Sequence, residues 1–170
     1  MRSFDVTIEL LLAAPHSRYA GRPSDGPLPA AGPETPKSIE IRAGLGVVGD
    51  RFYAKPAHRA ASVTLMAMES LEYVADALSL DEIPDAAGPR RNIMLRGFPV
   101  DELRGVRFSL DSGHGPVEFQ ANRPANPCAW MDVVLAPGAF AAMRGRGGMR
   151  CEPLTSGTLS LGAATLLTHP

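Results

Sequence analysis

The chain has 170 residues, 45% hydrophobic and 21% charged, with a formal net charge of -1. That length and composition suit a single domain, residues 1–170, with a real core. The near-neutral balance excludes a global field pulling the protein onto nucleic acid or an anionic membrane. No apolar run is long enough to cross a bilayer. The opening MRSFDVTIELLLAAPHSR lacks the basic start and uninterrupted apolar stretch of a signal peptide. Two cysteines, Cys128 and Cys151, make no disulfide framework, so the expectation is a cytoplasmic protein with two free thiols.

Phe4, Val6, Ile8, Leu10 and Leu12 alternate with mostly polar residues and predict a strand with one buried face. Residues 15–38, rich in Pro, Gly and Ser, forbid a regular element through most of their length; a loop this long is a lid, a dimer arm or another functional segment. Ile39 and Ile41 mark a short strand, 44–53 is a glycine-punctuated turn region, and 62–66 (SVTLM) is a strand. AMESLEYVADALSL, residues 67–80, carries Met68, Leu71, Val74 and Leu78 at helical spacing. Residues 88–97 (GPRRNIMLRG) run from a turn into a strand. VDELRG, residues 100–105, predicts one helical turn capped by Asp101 and closed by Gly105. VRFSL and PVEFQ form a hairpin about SGHG. PGAFAAMRG, residues 137–145, is a second helix, and MRCEPL and TLSLGAATLL supply the last strands. Many short strands joined by turns favour a barrel or sandwich with helices attached.

The candidate chemistry centres on ANRPANPCAWMD, residues 121–132. A cysteine is often a small buried apolar group. Here Pro124 and Pro127 stiffen the loop that presents Cys128, and Arg123 stands ready to balance negative charge on sulfur. A thiolate is both a nucleophile and a soft metal ligand. Cys151 lies in a strand-like run and reads as core. No histidine is spaced from a cysteine as in a zinc finger. Arginines recur beside glycines: Arg51 after Gly49-Asp50, Arg90 and Arg91 before Asn92, and Arg144, Arg146 and Arg150 around Gly145, Gly147 and Gly148. Most such charges are solvated surface, but guanidinium forks on glycine-rich backbone suit an anionic small molecule. RGRGGMR is too short and too poor in aromatics for an RNA-binding segment. Asp50 is open to two readings, a turn residue or a carboxylate that orients an arginine or a ligand.

In chain order, GLGVVGDRFY, SVTLMAMESLEYV, RRNIMLRGFPVDELRGVRFSL, NRPANPCAWMD and GAFAAMRGRGGMRCEPLTSGTLSLGAATL resemble the MOSC domain family, the module also found at the C-terminus of molybdenum cofactor sulfurases, in its stand-alone bacterial form. The match runs from about residue 39 to 167. The resemblance implies a mainly β fold, a MOSC-type barrel of short mixed strands with a few peripheral helices. It implies a molybdenum cofactor, a phosphate-bearing molybdopterin, with Cys128 as the metal ligand and catalytic residue and with Arg51, Asp50, Arg91, Asn92, Arg123 and Asn126 around the cofactor. It also implies an oxidoreductase that reduces small N-hydroxylated substrates with a separate electron-donor protein. The alternatives are a sulfur carrier using a Cys128 persulfide with a sulfur-transfer partner, or a non-catalytic cofactor-binding module. Neither nucleic acid nor membrane is expected as a partner. Ala163 replaces an acidic residue of the family's closing strand, and the lack of a second MOSC N-terminal domain leaves a homodimer as the way to build an opposite wall.

Overall fold

The computed structural model describes residues 1–170. Ten strands form in chain order: β1 Arg2–Leu11, β2 Ser38–Arg42, β3 Gly46–Val47, β4 Val63–Ala67, β5 Ile93–Arg96, β6 Arg107–Asp111, β7 Val117–Pro124, β8 Met149–Pro153, β9 Gly157–Ser160 and β10 Gly162–Thr168. Three helices join them: α1 Met68–Ala77, α2 Trp130–Val134 and α3 Ala139–Ala142. Seven strands close into a barrel in the order β1-β10-β6-β7-β8-β4-β5, and β3-β2-β9 makes a smaller sheet beside it. Within the barrel only β4 and β5 run parallel. The architecture is the mainly β barrel of mixed strands with short helices that the sequence predicts.

Two apolar clusters explain the layout. The larger fills the barrel, with Ile8, Val63, Leu65, Ile93, Phe108 and Phe119 among its buried members. The second lies outside, where α1, α2 and α3 cover Met66 of β4 and Met94 of β5. β4 is therefore buried at all five positions, which is why SVTLM shows no alternation. β1 alternates as predicted only to Ile8. A register shift between Ile8 and Leu10 then turns Leu11 into the barrel and Leu10 toward the outer cluster.

Other differences have local causes. The closing run TLSLGAATLL divides into β9 and β10 at Gly162, whose φ of +109 breaks the strand. Residues Val100–Leu103 form a 3-10 turn with Pro99 at its N-cap position. Asp101 does not cap that turn; its Oδ1 accepts a hydrogen bond from the Gly148 N–H at 2.8 Å. α3 covers only Ala139–Ala142 of the predicted 137–145 helix. α2 begins two residues after Cys128, in a stretch whose sequence shows no helical spacing.

Between β1 and β2 the chain makes a single 3-10 turn, Pro23–Asp25. This strap is tied down along its length. The backbones of Leu28 and Glu34 bond Arg18 and Ala13, at 2.8 and 2.9 Å. The Tyr19 hydroxyl donates to the Gly88 carbonyl at 2.5 Å. These ties carry Ser17, Arg18 and Tyr19 to the loop that presents Cys128.

Candidate functional site

Cys128 is exposed and Cys151 is fully buried. The Cys128 loop leaves β7 at Pro124 and is held at its base by two bonds. The Ala125 N–H donates to Gly148 O at 2.8 Å, and Ala125 O accepts from Arg91 Nη2 at 2.8 Å. Beyond the cysteine the chain turns at once into α2, with the Met131 N–H donating to Cys128 O at 3.0 Å. Asp132 braces α2 against α3, its Oδ1 accepting the Phe140 N–H at 2.8 Å. Trp130 packs beneath the loop, 8% exposed and stacked on Tyr19 at 4.9 Å between ring centroids.

The close fit of this loop depends on the glycine run. A Cβ at Gly147 would lie 2.1 Å from Ala125 O, and one at Gly148 would lie 1.9 Å from Leu65 O. RGRGGMR therefore serves packing at its second half, where the backbones of β8, β4 and the cysteine loop converge.

Cys128 opens into a cleft of about 170 Å³. Its wall carries five arginines, Arg18, Arg51, Arg90, Arg91 and Arg150, and no carboxylate. Arg91 is buried and spends its donors on three carbonyls: Gly147 at 2.9 Å, Pro89 at 3.0 Å and Ala125 at 2.8 Å. Burial, with Arg150 and Arg51 close by, pulls its pKa down to about 10. Arg51 reaches Asp50 Oδ1 and Arg90 O, both at 3.4 Å, and stacks over Phe52; burial lowers its pKa too. Arg150, on β8, is lowered by burial and by Arg123, its cross-strand neighbour. The Tyr19 hydroxyl is raised by burial.

The predicted site residues thus divide. Cys128, Arg51, Arg91 and Asn126 share the cleft wall. Asp50 lies behind it, its carboxylate fully covered and bonded to the Ala14 N–H at 3.0 Å and the Phe52 N–H at 3.3 Å as well as to Arg51. Asn92 is buried away from the wall. Its Oδ1 accepts from the Thr64 N–H at 3.0 Å and its Nδ2 donates to Leu12 O at 3.0 Å, so, from just before β5, it ties β4 to the chain just past β1. Arg123 lies exposed beside Arg150, outside the wall. Arg96 is turned away entirely, paired with Glu9 and Glu72.

Sequence reasoning missed Ser17, Arg18 and Tyr19, which arrive on the strap, and counted Arg90 and Arg150 among the arginines suited to an anionic ligand without placing them around the cofactor. The RRN and MRC segments held the signal for the last two; no local pattern marked the first three.

No protein-family model matches the sequence, and none of the curated proteins does. Solved structures do share the fold. YuaD from Bacillus subtilis superposes with a TM-score of 0.75 at 15% identity, over 99% of this chain and 98% of that one. YiiM from Escherichia coli gives a TM-score of 0.63 at 15% identity, over 100% and 71%. YiiM from Geobacillus stearothermophilus gives 0.52 at 19% identity, over 65% and 55%. At these identities the likeness is one of fold, and it is consistent with the MOSC-like barrel that the sequence motifs predict.

Proposed function

We propose that this protein binds the molybdenum cofactor in the Cys128 cleft and reduces small N-hydroxylated molecules there. The observation that carries the reading is the convergence of one exposed thiol and five arginines, without a carboxylate, on a single cleft. The residues fit the group in two ways. A soft sulfur ligand suits molybdenum already held by a dithiolene. No cluster of three or more His, Cys, Asp or Glu side chains gathers in the protein, so a metal here must bring most of its own ligands. The guanidinium wall suits a phosphate, and Arg90 Nη2 is buried without a partner. The cleft is smaller than the roughly 300–1,000 Å³ of pockets that enclose drug-sized ligands. It would receive only part of the cofactor, and its guanidinium wall would hold the phosphate.

Cys128 Sγ would be the metal ligand, held in place by the prolines and by the bonds to Ala125. Arg51, Arg90 and Arg150 neutralise the phosphate, and Asp50 orients Arg51. Asn126, on the cleft wall, would offer an amide to the cofactor. Arg91 is a positioning residue, because its donors hold the cysteine loop. Once bound, the cofactor supplies two-electron removal of oxygen from N–OH, with water as co-product and a separate electron-donor protein as the source of reducing equivalents. Neither histidine nor carboxylate lines the cleft, so solvent would supply the protons.

The test is molybdenum content, by elemental mass spectrometry, in protein purified from a cofactor-replete host, with reduction of an N-hydroxylated base analogue as the activity. The expected result is equimolar molybdenum in the wild type and its loss in Cys128→Ala. Wild-type protein without molybdenum, or equal molybdenum in the variant, refutes the assignment. The exposure of Cys128 also favours a second reading, a persulfide carrier that passes sulfur to a partner enzyme. Cyanide-releasable sulfur on Cys128 in metal-free protein distinguishes it. Molybdenum that is bound but never turns over leaves a non-catalytic cofactor-binding module.

A further inference from the structure

Arg90 has features that its place in the cleft wall does not explain. Its backbone sits at φ +62, in the left-handed region that side-chain-bearing residues avoid, and such strain persists where surrounding structure demands it. Its side chain is 6% exposed. One arm, Nη1, donates to Glu34 Oε2 at 2.6 Å; the other, Nη2, is sealed from solvent and bonded to nothing. Glu34 comes from the strap, and the same Oε2 lies 3.6 Å from Arg18 Nη1. Arg90 and Arg18 line the Cys128 cleft and, with Glu34, a second hollow beside it of about 250 Å³. One carboxylate thus answers two guanidinium groups and leaves a buried donor idle.

We propose that Glu34 is a built-in counter-ion, occupying an anion subsite on Arg90 and Arg18 from which a phosphate-class dianion displaces it. The exchange sets the ligand class. Replacing one carboxylate by another gains neither charge nor bonds. A phosphate or sulfate group brings a second negative charge and further acceptor oxygens, enough to engage Nη2 as well as Nη1. The subsite therefore selects phosphate monoesters over carboxylates. The carboxylate is free to leave because the strap does not depend on it. The backbone of Glu34 is held by Ala13, and Arg18 and Tyr19 are held by Leu28 and Gly88. Arg90 and Arg18 face Glu34, Asp85 and Tyr19 line the same hollow, and His16 lines a neighbouring pocket; the hydrogen bond from Arg90 holds the Glu34 carboxyl below the usual carboxylate range. This inference rests on the anionic-ligand reading of the cleft and makes no use of the metal.

The test uses the full chain and sulfate, a dianion throughout the pH range of the measurement, with acetate as the carboxylate control. Carboxyl-carbon NMR follows the Glu34 titration with and without saturating sulfate. Sulfate is expected to bind the wild type better than acetate and to return Glu34 to the ordinary carboxylate range. Glu34→Gln, with the subsite vacated, is expected to bind sulfate roughly tenfold more tightly and to bind acetate as well. Wild-type protein that binds no sulfate, or whose Glu34 titration is unchanged at saturation, overturns the proposal. So does a folded Glu34→Gln variant with equal or weaker sulfate affinity. The wild-type titration decides the matter should that variant fail to fold. Missing molybdenum in the purified protein would refute the cofactor assignment and leave this result standing.

Discussion

Three glycines in RGRGGMR are alike in sequence and unlike in structure, and alanine at each measures the difference. Gly145 has φ +73 and open space where a Cβ would go, so Gly145→Ala meets only the left-handed penalty, about 1–2 kcal/mol. Gly147 has no such φ, but its Cβ would sit 2.1 Å from Ala125 O and 3.2 Å from Pro127 Cδ. Relief requires that carbonyl to move off Arg91 Nη2. Overpacking of about 1–3 kcal/mol and the weakening of a charged hydrogen bond of similar size give roughly 3 kcal/mol. Gly148→Ala combines φ +89 with a Cβ 1.9 Å from Leu65 O and 2.9 Å from Met66 Cα. Both are backbone atoms of a central strand that cannot give way, so the left-handed penalty of about 1–2 kcal/mol adds to the upper end of overpacking, about 3 kcal/mol, for about 4–5 kcal/mol in all, a large fraction of the stability of an ordinary domain. Urea unfolding, with thermal midpoints falling about 2–4 °C per kcal/mol, reads the series. The expected order of loss is 148, then 147, then 145. Because Pro127 precedes the thiol, Gly147→Ala is also expected to lower anion affinity where Gly145→Ala does not. Three equal losses, or the largest loss at Gly145, would falsify the claim that backbone crowding beneath the Cys128 loop fixes these residues.

The thiols separate by environment. A thiol reagent is expected to modify Cys128 in the folded protein and to reach Cys151 only on unfolding, since burial pushes that thiol far above its ordinary range. Two modified thiols in native conditions contradict the fold at β8. The carboxyls give opposite pH trends. Glu34 is lowered by Arg90, so its contribution is present above the unfolded carboxylate pKa and is lost as pH falls through the folded value. The stability advantage of wild type over Glu34→Gln, which keeps an acceptor for Arg90 but loses the charge, roughly 1.5–3 kcal/mol at neutral pH, is expected to shrink on acidification. Asp101 is raised by burial, so its contribution is present at low pH and lost as pH rises. Asp101→Asn, which keeps an acceptor for the Gly148 N–H, should gain on wild type between acid and neutral pH. Parallel pH curves for the two variants would sink both assignments.

What the sequence disclosed depends on how local each signal is. Alternation in β1 and helical spacing in α1 are properties of one element against one apolar layer, and both appear in the fold. The bulge after Ile8 was hidden, because a one-residue insertion in a strand is fixed by its partners β5 and β10. α2 was hidden because a five-residue helix after a proline-stiffened loop owes its form to the outer cluster around Trp130. At the cleft, Arg51, Arg91, Asn126 and Cys128 sat in motifs legible one at a time. Asn92 and Asp50 sat in the same motifs, yet their polar atoms are taken up by backbone groups and, for Asp50, by Arg51. Residue type alone does not separate an arginine that lines a wall from an asparagine that holds the wall up. Arg18 and Tyr19 reach the site only because the strap folds back over it, a long-range event that no period records.

The cleft also shows how a chain of net charge -1 sustains a strongly positive pocket. Pairing each arginine with a carboxylate would bury the charges safely and cancel the field. Here two carboxylates, Asp50 and Glu34, stand behind Arg51, Arg90 and Arg18. Arg91 is instead solvated by three carbonyl dipoles, and Arg150 has no acidic partner. Carbonyls satisfy guanidinium donors without supplying a negative charge, so the hydrogen-bonding need is met while the positive potential survives. The depressed pKa of Arg91 is the cost of that arrangement. Its three bonds fall on Gly147, Pro89 and Ala125, so the same guanidinium that projects the field also fixes the cysteine loop. Positive potential and thiol placement therefore stand or fall together on one side chain, and lysine, with a single ammonium in place of the planar fork, would keep the first and lose the second.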